Sequence, residues 1–128
     1  VFKTPMSGGE SGRRGRWGEE LVAADLTKKG FRILARRYRS RFGEIDLIAA
    51  NEQYLCFTEV KLRKSGAFAP AWAAVDAGKQ EKLRITAEIF LSEHPQLHQQ
   101  PRFDIAEVYA PRGALAEEAR IIYWENAF

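Results

Sequence analysis

Asp46, Glu59 and Lys61 are the residues of this chain whose types and spacing suit chemistry on a phosphate. Two apolar runs carry them, Gly43-Glu44-Ile45-Asp46-Leu47-Ile48-Ala49-Ala50 and Leu55-Cys56-Phe57-Thr58-Glu59-Val60-Lys61. The polar Asn51-Glu52-Gln53 between them makes an antiparallel hairpin the simplest pairing. Asp46 and Glu59 are equidistant from a turn centred between Glu52 and Gln53. That register sets them opposite each other, with Cβ atoms roughly 5 Å apart. Lys61 projects from the face of Glu59 because strand side chains alternate. Two carboxylates and an ammonium meeting at one spot can hold a divalent metal beside a phosphate. The plainer alternative is a salt-bridged cluster at the strand ends, since charges often alternate along a solvated strand face. Acidic residues and lysines are almost never fully buried without a partner, and these strands are strongly apolar. Glu44 shares the face of Asp46 but stands at the strand start, where exposure is expected.

The elements that must position these residues follow from pattern. Residues 1–14, rich in Gly, Ser, Arg and Lys, read as a flexible basic leader, within which Met6 offers an internal start. Residues 15–128 read as a single domain. From Trp17 the apolar positions Leu21, Val22, Ala24 and Leu26 predict a helix to Lys29, closed by Gly30. Residues 31–38 predict a strand, and the hairpin follows at about 43–50 and 54–62. After a loop to about Pro70, residues Ala73, Ala74 and Val75 and then Lys79–Leu91 predict a second helix, ended by His94-Pro95. Phe103–Ala110 alternates as a strand, and Arg120–Trp124 reads as a short last one. The order implies an α/β fold with a mixed central sheet of about five strands flanked by helices.

Composition bounds the function. A chain of 128 residues with 45% hydrophobic residues, including 8 Phe, 4 Tyr and 3 Trp, is large enough for one buried core. No apolar run reaches membrane-spanning length, and no secretory signal opens the chain. The single cysteine, Cys56, excludes an internal disulfide and a multi-cysteine zinc site, and a cytoplasmic protein is expected. Net charge is only +3, yet residues 1–41 hold eleven Lys and Arg against four Asp and Glu, whereas residues 42–128 are net acidic. Arg13, Arg14, Arg16, Arg36, Arg37, Arg39 and Arg41 dominate the basic part. Such a field favours a polyanion, above all a nucleic acid. A solvated helix face followed by a charged edge strand would look the same.

The motifs carry a resemblance. Gly-Glu-Ile-Asp-Leu-Ile, a short gap and Phe57-Thr58-Glu59-Val60-Lys61 resemble the signature of the uncharacterised bacterial YraN-like family. That family resembles the restriction-endonuclease-like nucleases, whose PD-(D/E)xK motif has this order, and archaeal Holliday-junction resolvases in particular. Gly18-Glu19 before an Ala-rich helix, Val75 with Lys79-Gln80, and Arg102-Phe103-Asp104 extend the likeness over about residues 15–110. Ile45 stands where many such nucleases have proline.

The resemblance implies a restriction-endonuclease-like core and a metal-dependent endonuclease acting on DNA, branched or structured DNA by analogy with the resolvases. It implies Asp46, Glu59 and the Val60 carbonyl as ligands of Mg²⁺ (or Mn²⁺), Glu19 as a further metal contact, and Lys61 as the cation at the reacting phosphate. Lys79 and Gln80 would contact the DNA backbone or the attacking water, beside the arginines above. Glu19 equally suits the first turn of any helix, and Lys79-Gln80 an exposed helix start. A homodimer would suit a junction, which needs two cuts. The alternatives are a nucleic-acid-binding protein that keeps the fold without catalysis, and an adaptor in which the acids merely pair with Lys61. Arg102-Phe103-Asp104 reads as structural, with Phe103 in the core and Asp104 paired locally. His94 and His98 read as exposed loop histidines. Trp17, Trp72 and Trp124 suit core or interface positions, and Trp72 is the first to test as a base-stacking residue.

Overall fold

The computed structural model describes residues 10–63, 75–109 and 119–128 of the chain. Helix α1 (Glu10–Lys28) is followed by strands β1 (Arg32–Arg39), β2 (Glu44–Ala50) and β3 (Tyr54–Arg63). Helix α2 (Ala77–Glu93) and strands β4 (Gln100–Tyr109) and β5 (Arg120–Trp124) complete the order. The five strands form one sheet in sequence order. β3 and β4 run parallel, joined through α2, and the other neighbours are antiparallel. This is the mixed α/β sheet that the alternation of elements predicts.

Each helix covers one face. Val22, Ala23 and Leu26 of α1 pack on Leu47, Ala49, Ala106 and Val108. Leu83, Ala87 and Phe90 of α2 pack on Ile45, Ile48, Phe57 and Ile105. The helical spacing of these apolar residues dictates the arrangement, since only one stripe of each helix can be buried. α1 stops where the Phe31 amide donates to the Leu26 carbonyl at 2.9 Å and the Gly30 amide to that of Thr27 at 3.1 Å. Gly30 takes φ +93 there, a conformation that costs glycine little. Among the described residues no helix is long and apolar enough to cross a membrane.

Two boundaries differ from the sequence reading. Residues 10–14, assigned by composition to the leader, already belong to α1; residues 1–9 lie outside the described residues. Val75 is not helical, because the Asp76 carboxylate accepts the Lys79 amide at 2.8 Å and caps a helix that starts at Ala77. The expected helical Ala73 and Ala74, and Trp72, lie outside the described residues. Cys56 is buried, and burial, then the nearby Asp104 charge, pushes its thiol up to about 12.

One irregularity shapes the site. Ala35 and Tyr38 both face the α2 side although they are three positions apart, an odd offset, and so do Ile45 and Ile48. Both strands therefore change face in the row between the pairs Arg36↔Leu47 and Tyr38↔Ile45. That row holds Arg37 and Asp46. Arg37 makes the turn with φ +50, a left-handed conformation that costs a side-chain-bearing residue about 1–2 kcal/mol.

Candidate active site

The β2–β3 ladder runs from Ala50↔Leu55 to Leu47↔Thr58. One further step brings Asp46 against Glu59, the register read from the turn. The ladder stops short of it, and Asp46 Oδ2 instead accepts the Val60 amide at 2.8 Å. Burial raises the Asp46 carboxyl well above the usual carboxylate range. The adjacent Glu59 charge and a hydrogen bond between the two side chains raise it further, against the smaller opposing pull of the Val60 amide. Like charges this close resist joint ionisation. A divalent cation between them would relieve that repulsion.

Glu59 is 7% exposed and lines a small, mainly apolar pocket with Ile45, Phe57, Leu83, Phe103 and Phe128. Its counter-charge is Lys79, from the first turn of α2, which forms an ion pair with it. The Asp76 cap places Lys79 there, so the helix start has a role the sequence left open. Lys61 lies two residues beyond Glu59 on the same strand face and is half-buried. Among the described residues it belongs to no ion pair. Glu59 is thus neutralised by Lys79, where the adaptor reading expected Lys61.

The other predicted residues separate into those near the carboxylates and those engaged elsewhere. Glu19 accepts Arg37 Nε at 2.7 Å, and both side chains are largely buried. Burial nonetheless leaves the Glu19 carboxyl above its ordinary value, despite the Arg37 hydrogen bond and charge. Its charge acts on Asp46, but its hydrogen bond goes to Arg37. Gln80 donates its side-chain amide to the Val75 carbonyl at 3.0 Å. Arg36 pairs with Glu20, and Arg39 with Glu44 at 3.0 Å. Arg41 is exposed and lies over the Phe42 ring at 5.6 Å. Arg16 is half-buried, and the side chains of Arg13 and Arg14 lie outside the described residues.

The structural readings of β4 hold. Arg102 forks onto Asp104 with contacts of 2.9–3.2 Å, and Phe103 stacks on Phe57. His94 is the C-cap of α2, its ring within 2.8 Å of the Phe90 carbonyl, so it is half-buried where an exposed loop residue was expected. Sequence reasoning missed Glu107, which is 2% exposed and accepts from Arg63 Nε at 3.0 Å and Trp124 Nε1 at 2.7 Å. The signal was an acidic residue inside the apolar run Ile105–Tyr109, the same signal that marks Asp46 and Glu59.

As a donor set, two carboxylates and the Val60 carbonyl are hard oxygens, and Mg²⁺ is commonly held by one or two carboxylates plus waters. Among the described residues no group of three or more His, Cys, Asp or Glu side chains is arranged to hold a metal, so the pair would have to suffice. The residues present fit Mg²⁺ on those terms.

Comparison with known proteins places the chain. Residues 18–108 match the uncharacterised protein family UPF0102, a span that runs from α1 to β4. A UPF0102 protein of Caldanaerobacter subterraneus subsp. tengcongensis is 42% identical over 114 residues, 89% of this chain and 93% of that one. One from Alkaliphilus metalliredigens is 35% identical over 114 residues, 89% and 96% of the two chains. Another, from Mesorhizobium japonicum, is 41% identical over 117 residues, 91% and 86%. A match across most of the fold and relatives similar over nearly their full length agree with the family expected from the motifs, and the chain belongs to the UPF0102 family.

Proposed function

We propose that this protein is a metal-dependent endonuclease that hydrolyses DNA phosphodiester bonds, in branched or structured DNA. The observation that carries the reading is the Asp46–Glu59 pair, set face to face beside Lys61 and Lys79. A binding protein has no use for a buried glutamate and a half-buried aspartate that repel both each other and a phosphate.

Asp46, Glu59 and the Val60 carbonyl would hold Mg²⁺ or Mn²⁺, with Glu19 beside them. Bound there, the ion would supply charge to polarise the scissile phosphate and to acidify a water. Asp46 is fixed by the Val60 amide, so its carboxylate needs little reorganisation when the pair is fully ionised. Lys79 neutralises Glu59 until then and is half-exposed, which leaves it free to exchange Glu59 for a backbone phosphate. Lys61 donates to the phosphoryl oxygens as charge builds on them. The water oxygen forms the new bond to phosphorus, the sugar oxygen leaves, and a proton returns to that oxygen. Arg41, exposed on the β1–β2 turn, offers a further backbone contact.

The test is incubation with linear, single-stranded, flap and four-way DNA in Mg²⁺, Mn²⁺ or EDTA, beside Asp46→Ala, Glu59→Ala and Lys61→Ala. Cleavage that needs metal and disappears in all three variants is expected. Cleavage that survives them would sink the assigned site. Salt-sensitive, Mg²⁺-independent binding without cleavage on any substrate would favour a non-catalytic nucleic-acid-binding protein.

A further inference from the structure

Strand β5 lies beyond the stretch matched to the family and carries Ile122 and Trp124, which are 40% and 44% exposed. Register fixes where they stand. Glu59 pairs with Ile105, and Ile105 with Trp124; Lys61 pairs with Glu107, and Glu107 with Ile122. Cross-strand partners share a face, and Ile105 belongs to the core beneath α2. Trp124 therefore stands on the face that carries the carboxylates, in the row of Glu59 and two strands away. At about 4.8 Å per strand the separation is roughly 10 Å. Ile122 occupies the row of Lys61.

The indole is held in place. Its Nε1 donates to Glu107 at 2.7 Å, and Arg63 fixes Glu107 from the other side at 3.0 Å. α2 packs on β2, and Ile105 and Glu107 between the two rows are buried, whereas the side chains of Ile122 and Trp124 at the β5 edge reach solvent. Single exposed apolar residues are ordinary. An exposed indole anchored by a buried carboxylate, in the row of a candidate active site, is a more specific arrangement.

We infer that Trp124, with Ile122 beside it, is a stacking platform for an unpaired nucleobase of the DNA strand whose backbone lies against Lys61 and the Asp46–Glu59 pair. This rests on the nuclease reading above. Every base offers a π-face to an aromatic ring, and roughly 10 Å is about three stacked steps of one strand. Lys61, in the neighbouring row, supplies the positive charge for the intervening phosphates. Inside a duplex both faces of a base are covered, so the platform selects single strands, flaps and frayed ends. The rival occupant is a second copy of this chain, since β5 is an edge strand among the described residues and free edges invite pairing.

The experiment uses the full chain in EDTA, so that binding is read without cleavage. A single-stranded oligonucleotide containing 2-aminopurine, and the same sequence fully paired, are titrated with wild type, Trp124→Ala and Trp124→Phe. Wild type quenches the single-strand fluorescence. Trp124→Ala weakens single-strand binding about 5- to 150-fold, the range of one base–aromatic stack, and leaves duplex binding within about twofold. Trp124→Phe loses the bond to Glu107 but keeps a ring, and retains most of the single-strand affinity. Three results overturn the platform: unchanged binding by Trp124→Ala, equal losses on both DNAs in both variants, or a wild-type dimer that Trp124→Ala dissociates. Cleavage in Mg²⁺ is scored separately. Quenching without cleavage removes the catalytic reading and keeps the platform; cleavage with an indifferent Trp124→Ala does the reverse.

Discussion

Asp46 sits where a carboxylate works against the fold. Burial and the facing Glu59 both disfavour its ionised form. Its raised value means that the folded chain binds a proton the unfolded chain has already released. Stability therefore falls as pH rises from the ordinary carboxylate range through the raised folded value, and the full penalty is present above it. Asp46→Asn keeps an acceptor for the Val60 amide and removes the repulsion. The variant should be more stable than wild type by about 0.5–2 kcal/mol in metal-free buffer at pH 8. The difference should shrink as the pH is lowered towards 4. Mg²⁺ should raise the wild-type melting midpoint and leave that of Asp46→Asn unmoved. Thermal melts across pH, with EDTA and with Mg²⁺, decide this. A variant less stable than wild type at every pH would mark Asp46 as a structural partner and remove the metal site.

At the scale of elements, the decisive feature is the row where β1 and β2 change face. Arg37 adopts φ +50 and sends its guanidinium to Glu19 at 2.7 Å, tying α1 to the strand beside Asp46. Two opposing contributions can be separated by substitution. Arg37→Ala loses the guanidinium and keeps the strained backbone; Arg37→Gly loses the guanidinium and relaxes the backbone. Both should be less stable than wild type, because they leave Glu19 largely buried without its cation. In urea unfolding, Arg37→Ala should be the worse by about 1 kcal/mol. Equal midpoints would show that the left-handed turn stores no strain. The hairpin register was legible in sequence because its turn is written there: the Asn51 side chain accepts the Gln53 and Tyr54 amides at 2.9 and 2.7 Å. The turn at Arg37 was not, since Arg36-Arg37-Tyr38 lacks the Gly or Asn that usually marks positive φ. The start of α1 escaped for a related reason: before Trp17 its residues are polar or Gly, and apolar periodicity cannot reveal a turn with no apolar face. Lys79 was legible as a residue of interest but not as the partner of Glu59, because that contact depends on how α2 crosses β2.

At the scale of the whole molecule, charge in the sequence and charge in the fold differ. The run from Arg36 to Arg41 reads as a continuous basic patch, yet folding brings Glu20, Glu19 and Glu44 against Arg36, Arg37 and Arg39. Carboxylates from α1 and β2 neutralise the strand between them, an arrangement invisible to a count along the chain. The Arg37 pair is largely buried, whereas the Arg36 and Arg39 pairs are more exposed and each is worth little. A DNA backbone could compete for those two only by leaving Glu20 and Glu44 unpaired. The cations best placed for phosphate are then Arg41, Lys61 and Lys79, with Arg13, Arg14 and Arg16 adding to them if α1 reaches the duplex. Each phosphate contact contributes about 0.9 to the slope of log K against log salt, so duplex binding should fall with a slope of about −3 to −5. Arg41→Ala should make that slope shallower by about one, and Arg36→Ala should leave it nearly unchanged. Fluorescence anisotropy over a salt series in EDTA measures both. A slope steeper than about −7 that Arg36→Ala and Arg39→Ala both make shallower would show these two exchanging Glu20 and Glu44 for phosphates on binding, and DNA would then remake the contacts that tie β1 to α1 and β2.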